Sequence, residues 1–547
     1  MSIDGVCYHE DVKETVLKQI EGWLEETLGE SGVVTFNENL NNGDISTNVG
    51  IKNKNAPELL EKLNANKPEF ISEITIAGPG FINFYLSDSF LLSYKNSSIQ
   101  KNNEKVIVEY TDPNPFKEFH IGHLMSNAIG EAIAGLTEAN GANVKRACYQ
   151  GDVGMHVAKA IWGISKKSGT FLDGYALGHK AYEEDENAKN EIIQINKEIY
   201  SESNVELSAL YEKGRNDSLE YFDKIYKKLG TNFDYFFFES ESGPKGLEIV
   251  KANTPQVFQE SDGALIYKGE VRDKKLHTRV FVNKDGLPTY EAKELGLLLL
   301  KKAKESNIDK SIVITGNEIN EYFKVVMSAA KEIEEIKDLA GNTKHISHGM
   351  MRLPSGKMSS RTGDVITAES LISTVAEEAQ KVIEKSGRGA DAELAEKVAI
   401  GAIKFSILRQ HSGKDIIFDI DKSVSFEGDS GPYLMYTHAR ANSLIEKGQS
   451  DGVVPIDAQE LFGAKNLMRQ IVRFDDVVKR AAEEYSPNFL VEYLLEVSSA
   501  FNSWYANEQM ITEDKNISAQ KLSIVNKLKD VLARGLNILA ISAPLKM

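Results

Sequence analysis

Val106-Ile107-Val108-Glu109-Tyr110-Thr111-Asp112-Pro113-Asn114-Pro115-Phe116-Lys117-Glu118-Phe119-His120-Ile121-Gly122-His123 runs from an apolar strand pattern through a proline-bearing loop into a helix. Five residues rich in Val and Ile read as a buried strand, Pro113 and Pro115 break it, and Met125, Ile129, Ile133 and Leu136 fall on one helical face. Asn140-Gly141 stops that helix, and residues 144–149 give a second strand pattern. Later strand patterns at 280–282 and 312–315, each followed by a helix, extend the unit. The alternation predicts an α/β catalytic domain built on a Rossmann-like, doubly wound parallel sheet.

The flanks differ from this centre. Residues 1–100 read as a small α+β domain, with helical patterns at 12–28 and 57–63 and a strand pattern at 73–84 interrupted by Gly78-Pro79-Gly80. The catalytic domain is expected over 101–388, with a charged, helical insertion at about 166–245, and an all-α bundle over 389–547. The bundle helices are expected at 392–409, 431–447, 461–482, 487–506 and 517–541. A chain of 547 residues has room for about three to five domains.

A hydrophobic fraction of 41% and a charged fraction of 27% exclude a mostly disordered or collagen-like chain. No stretch reaches the length of a membrane span and the first residues carry no basic leader, so a cytoplasmic protein without a membrane partner is expected. Two cysteines, Cys7 and Cys148, exclude a Cys-only zinc site and a disulfide framework, and no protein-held metal is expected. The net charge of −17 argues against nucleic acid, yet it is uneven. Residues 1–100 carry 7 basic and 15 acidic groups, whereas residues 401–547 carry 17 and 19, leaving room for a basic face at the C-terminal end.

The helix start after the first strand is the chemical centre. Free backbone N–H groups and the positive end of the helix dipole favour an anion there, and Gly122 allows close approach of a nucleotide. His120 and His123, one turn apart, can donate to phosphate oxygens as charge develops. A second loop, Pro354-Ser355-Gly356-Lys357-Met358-Ser359-Ser360-Arg361-Thr362-Gly363, offers a lysine and two hydroxyls to a triphosphate. It is not a Walker loop, because Met358 stands where Ser or Thr is required and Met351 where the first glycine is required.

In this order and on this architecture the two segments resemble the HIGH and KMSKS signatures of class I aminoacyl-tRNA synthetases. Further stretches resemble the arginyl-tRNA synthetases: Glu109 to Asn114, Gly151-Asp152-Val153-Gly154, Asp285-Gly286-Leu287-Pro288-Thr289-Tyr290, and Tyr433-Leu434-Met435-Tyr436-Thr437-His438-Ala439-Arg440. Gly43-Asp44-Ile45-Ser46-Thr47-Asn48 and Ala77 to Phe84 resemble that family's N-terminal tRNA-elbow domain, and the bundle its anticodon-binding domain. The resemblance implies ATP-dependent attachment of arginine to its tRNA through an arginyl-adenylate, with Mg²⁺ accompanying ATP and a monomeric enzyme.

It further implies His120, His123, Lys117 and Lys357 as catalytic groups and Gly122, Ser359 and Ser360 as ATP contacts. Glu109, Asn114, Tyr290, Glu294 and Glu318 would bind arginine, whose planar guanidinium calls for carboxylates. Phe81, Asn83, Tyr436 and Arg440 would touch tRNA, while Trp504 reads as core. Four positions depart from the family pattern: Glu294 replaces an Asp, Val153 a Trp, Ser360 the second signature lysine, and Ile319 a His. The competing readings are a class I synthetase of other specificity and a tRNA-binding paralogue that has lost activation.

Overall fold

The structure, a computed structural model, describes residues 15–37, 39–95, 101–167, 169–201, 203–354, 366–385 and 391–547. Lys357, Ser359, Ser360, Arg361 and Cys7 lie outside the described residues. The chain divides into two compact units, one of Met1–Lys101, Ala139–Gly141 and Ser425–Met547, the other of Asn102–Glu138 and Ala142–Val424. Among the described residues no helix is long and apolar enough to cross a membrane.

In the first unit, strands β1 (Val34–Phe36), β2 (Ile45–Thr47), β3 (Ile71–Ala77) and β4 (Phe81–Leu86) form an antiparallel sheet in the order β1-β2-β4-β3. Gly78 and Gly80, at φ of 54° and 121°, supply the left-handed backbone that turns β3 into β4. The helix Val16–Leu28 buries Val16, Ile20 and Leu24, spaced at one helical turn. The helices Gly431–Ser450, Lys465–Ile471, Phe474–Glu483, Asn488–Asn507 and Lys515–Ile538 make the bundle. The single helix expected at 461–482 is therefore two.

The N-terminal sheet domain and the bundle are one unit rather than two separate bodies. Arg469 pairs with the buried Asp44 and donates to Leu40 O at 2.9 Å. Tyr94 Oη–H donates to Asp475 at 3.0 Å, and Val16 N–H to Asp476 at 3.1 Å. Each is a buried polar contact that would cost free energy if left open.

In the second unit the core is a five-stranded parallel sheet. Its strands are β5 (Lys105–Glu109), β6 (Asn143–Gln150) and β7 (Tyr235–Phe238), then, beyond a separate small sheet of β8 (Gln259–Ser261), β9 (Ala264–Lys268) and β10 (Thr278–Val282), β11 (Lys310–Gly316) and β12 (Thr343–His348). The order β12-β11-β5-β6-β7 places a topological switch point between β5 and β11, where a doubly wound sheet opens a crevice.

Three boundaries differ from the sequence reading. Residues 280–282 do not join the parallel sheet, because β10 pairs antiparallel with β9. The insertion ends before β7, whose aromatic run pairs parallel with β6, so the helices Phe171–Glu184, Glu186–Ser201 and Val205–Leu229 are its body. The helix Ala392–Leu408, expected to open the bundle, belongs to the catalytic unit, which runs to Val424. Its Lys404, fully buried, donates to Leu229 O at 2.6 Å and so caps the end of the Val205–Leu229 helix, and Ile416–Ile417 pairs with Met351–Arg352.

This last boundary has a measurable consequence. Val398, Ile403, Phe405, Ile407 and Leu408 are all buried, at roughly 1.5–3 kcal/mol each, which is comparable with the whole net stability of a domain. A chain cut at residue 388 is expected to lose the cooperative melting transition of its catalytic unit, while one cut at residue 424 keeps it. Differential scanning calorimetry of the two truncations checks this.

Candidate active site

The signature loop after β5 is held in backbone geometry that L-residues avoid. Thr111, Asp112 and Phe116 have φ of 84°, 47° and 68°, and for the β-branched Thr111 this is a marked outlier. Each is over-determined by its neighbours. Thr111 N–H donates to Ser126 Oγ at 2.9 Å, and Asn127 Nδ2 to Thr111 Oγ1 at 3.0 Å. Tyr149 N–H donates to Asp112 Oδ1 at 2.7 Å. Phe116 N–H donates to Ser218 Oγ at 2.9 Å, and the Phe116 ring fills a slot where a side chain at Gly214 would come within 2.3 Å of it.

The loop delivers His120 and His123 to the start of the Ile121–Ala139 helix, stacked with ring centroids 3.5 Å apart and planes at 17°. His120 Nδ1 accepts from Gly122 N–H at 3.1 Å, and His123 Nδ1 from His120 N–H at 3.2 Å. With Nδ1 an acceptor, the ring proton sits on Nε2 in each. Burial, then the positive Lys117, lowers the pKa of His120; burial, then His120 and Lys117, drives His123 well below the ordinary histidine value. Both rings are therefore neutral Nε2–H donors at pH 7. Gly122 serves this pair directly, since a Cβ there would lie 2.9 Å from the His120 ring.

Lys117 is half-buried with its amine 5.5 Å from the Tyr175 ring, and burial and the nearby Lys159 lower its pKa. Asp152 ties the insertion to the sheet. Its fully buried carboxylate accepts from Arg215 Nε at 2.9 Å, Tyr211 Oη at 3.1 Å, Ser240 N–H at 2.9 Å and Ser240 Oγ at 2.7 Å.

A cluster of acids occupies the switch point. Glu109 ends β5 at 2% exposure, and Glu294, on the helix Tyr290–Lys304, is exposed by 8%. Burial, reinforced by Glu109, pushes Glu294 up to about 8 and raises Asp112 well above the usual carboxylate range. Lys301 Nζ stands 2.8 Å from Glu109 and is fully buried. Alongside, Glu239 and Lys293 form a second buried pair at 2.6 Å. The helices Glu239–Ala252 and Tyr290–Lys304 can bring these groups together because they touch through glycines: a Cβ at Gly246 would lie 1.9 Å from Ala292 O, and one at Gly296 1.9 Å from Ser242 O.

Of the expected arginine contacts, Glu109 and Glu294 share this cluster, and Asn114 lies beside it, where only a glycine at 151 leaves room for its amide and for Glu239. Tyr290 is 65% exposed, and the Lys293 amine lies 5.2 Å from the centre of its ring. Glu318 falls elsewhere: in the turn Asn317–Ile319 beyond β11 it is exposed, folds back over Gly316, and its charge acts on His120 and His348. The reading of the sequence assigned no role to Asp112, Glu239, Lys293 and Lys301. Lys301 was detectable as a cation two helical turns beyond Glu294 at the end of a leucine run.

In the first unit, Phe81 is 41% exposed at the start of β4, whereas Asn83 is 3% exposed and packed near Gly43. Arg440 lies between the rings of Tyr436 at 4.7 Å and Tyr505 at 5.4 Å and donates to Asn502 at 2.7 Å. Phe426 stacks on Tyr436 at 5.8 Å. Trp504 is buried and donates to Phe462 O at 2.7 Å, as core.

A doubly wound sheet carrying a histidine pair at the first crossover helix and a polar crevice at its switch point defines a class I aminoacyl-tRNA synthetase. Residues 88–420 match the family model described as tRNA synthetases class I (R), catalytic domain; residues 10–86 match the arginyl tRNA synthetase N terminal domain, and residues 434–547 the DALR anticodon binding domain. The chain belongs to the class I arginyl-tRNA synthetase family. It is 30% identical over 504 residues to a protein of Treponema denticola called arginine–tRNA ligase, covering 85% of this chain and 84% of that one. A Flavobacterium psychrophilum protein of the same name is 26% identical, with 86% and 85% covered. The fold is that of the Thermus thermophilus arginyl-tRNA synthetase, at a TM-score of 0.76 and 24% identity over 97% of this chain and all (100%) of that one. A Plasmodium falciparum arginyl-tRNA synthetase gives 0.77 at 21% identity, with 98% and 100% covered.

The histidine geometry is open to direct measurement. Ring-nitrogen-labelled His120 and His123, read by NMR between pH 6 and 8, are expected to stay neutral with the proton on Nε2, whereas a free histidine titrates in that window.

Proposed function

We propose that this chain is an arginine–tRNA ligase whose activation step runs on the His120/His123 pair and whose amino-acid choice is made by the buried acids at the switch point. The carboxylate of arginine attacks the α-phosphorus of ATP, diphosphate leaves, and a hydroxyl of the terminal tRNA ribose then takes the arginyl group with release of AMP. No covalent bond to the protein is needed. Catalysis is positioning plus stabilisation of charge on the α-phosphate.

His120 and His123 suit that work as neutral Nε2–H donors at a helix N-terminus: they supply hydrogen bonds without being titrated away as pH changes. Lys117 adds a cation beside them. Lys357, with Ser359 and Ser360, would meet the triphosphate from the second signature, and Mg²⁺ enters as the counter-ion of the substrate ATP. For tRNA, Arg440 with the neighbouring rings of Tyr436 and Tyr505, and the exposed Phe81, are the groups proposed to meet unpaired bases.

The observation that carries the arginine reading is the acid excess in the crevice, where Glu109, Asp112 and Glu294 stand around one buried lysine. A guanidinium offers these acids a planar fork of donors, and an apolar side chain offers them none. ATP–pyrophosphate exchange with each amino acid, with and without tRNA, tests the function, and exchange driven by another amino acid would replace this reading.

Two substitutions separate the roles. His120→Ala is expected to lower the charging kcat by about a hundredfold or more with little change in arginine KM. Glu294→Gln is expected to raise arginine KM by about ten- to a hundredfold, the worth of a charged hydrogen bond at ~1.5–3 kcal/mol. Steady-state charging assays distinguish them.

The pH dependence follows from the same group. Glu294 faces Glu109 of β5, Asp112 of the loop, Lys301 of its own helix, Glu239, Tyr149 of β6 and Tyr322. With its pKa raised to about 8, it is protonated at pH 7 in the empty site, and binding a guanidinium requires the charged form. Arginine KM is therefore expected to fall as pH rises from about 6.5, by up to about tenfold per unit, and to level above about 8. Glu294→Gln flattens this profile.

A further inference from the structure

Outside the crevice, the helix Val205–Leu229 meets the signature loop along one row of side chains. Gly214, Ser218, Phe222 and Tyr226, spaced four residues apart, are all buried and lie against Phe116 and Phe119. A Cβ at Gly214 would come within 2.3 Å of the Phe116 ring, and the Phe222 and Tyr226 rings lie 6.1 and 6.2 Å from that of Phe119. Ser218, exposed by 0%, is the member of the row that reaches the backbone of the loop. Its hydroxyl donates back to Gly214 O at 2.7 Å, which turns a lone pair toward the loop, and there it accepts from Phe116 N–H at 2.9 Å.

Phe116 needs this bond because its φ of 68° is a conformation that a bulky side chain avoids. The slot at Gly214 holds the ring, while the hydrogen bond fixes the peptide plane and with it the direction in which Lys117 leaves the loop. Among the described residues the Lys117 amine faces the Tyr175 ring at 5.5 Å and makes no salt bridge, so its backbone decides where it stands. Beyond Lys117 the chain is held separately: Ala368 N–H donates to Phe119 O at 2.8 Å, and Ile121 N–H to Ile366 O at 3.2 Å. We propose that Ser218 is the positioning residue of Lys117: through Phe116 it aims the signature lysine at the ATP phosphates, so that the helical insertion contributes to activation without touching substrate. The proposal rests on the arginine–tRNA ligase reading.

A double-mutant cycle on the full chain tests it. Ser218→Ala leaves the Phe116 N–H buried and unpaired, and it is expected to lower the charging kcat by about tenfold while arginine KM changes less than about threefold. In a Lys117→Ala background the same substitution is expected to cost less than about twofold, because the group it positions is already gone. If the two losses multiply instead, Ser218 acts by another route and the proposal falls, as it does if Ser218→Ala charges at the wild-type rate. Should Ser218→Ala not fold, amide exchange in the wild-type chain decides: Phe116 N–H is expected to exchange at least about a hundredfold more slowly than in the unfolded chain, and free exchange overturns the lock. A wild-type chain that does not charge tRNA with arginine ends the ligase reading itself, whereas normal wild-type charging with an unimpaired Ser218→Ala ends only this proposal.

Discussion

A carboxylate buried at the end of a central strand must find a counter-charge, since an unmatched one costs several kcal/mol even after the surroundings relax. Around Glu109 that requirement organises the catalytic unit. Lys301 meets it from the Tyr290–Lys304 helix, which fixes how that helix lies over β5 and β11 and in turn sets Glu294 at the crevice. The helix can lie there, against its neighbour Glu239–Ala252, only because Gly246 and Gly296 let two backbones come together. Glu239 and Lys293 then pair across that contact. Charge matching and close packing are thus the same arrangement seen from two sides.

The signature loop has supports of its own. Its left-handed Thr111 and Asp112 would relax if free, and they are kept by Ser126, Asn127 and Tyr149. The insertion takes part through Phe116 in its slot at Gly214 and through Asp152, whose carboxylate collects donors from the Val205–Leu229 helix and from Ser240. Rigid support of this kind places the histidine rings without asking the reaction to pay for their ordering.

In the other unit the same physics joins the two ends of the chain. Asp44 and Arg469 are separated by more than four hundred residues, as are Tyr94 and Lys527, whose amine donates to Tyr94 O at 2.6 Å. A small sheet of this size buries little apolar area alone, and docking on the bundle supplies what it lacks.

Composition and pattern alone determined much of this protein. The apolar run at 106–110, the proline loop and the helical face beyond it announced the doubly wound sheet, and His120 and His123 were visible at the start of its helix because local sequence decides where a helix begins. The hairpin around Gly78-Pro79-Gly80 and most bundle helices were legible for the same reason. What stayed hidden depends on pairing across distance. Strand β10 has the apolar pattern of a sheet strand, yet its partner β9 decides which sheet it joins; β7 was absorbed into the insertion because four aromatics do not name their neighbour. The helix Ala392–Leu408 looks like its successors, and only its packing within the catalytic unit, the buried Lys404 contact included, assigns it there. Likewise the residue types at 109, 294 and 301 could suggest a cationic ligand, but which acid is already matched by Lys301 is a matter of strand register and helix placement, set only once the chain has folded.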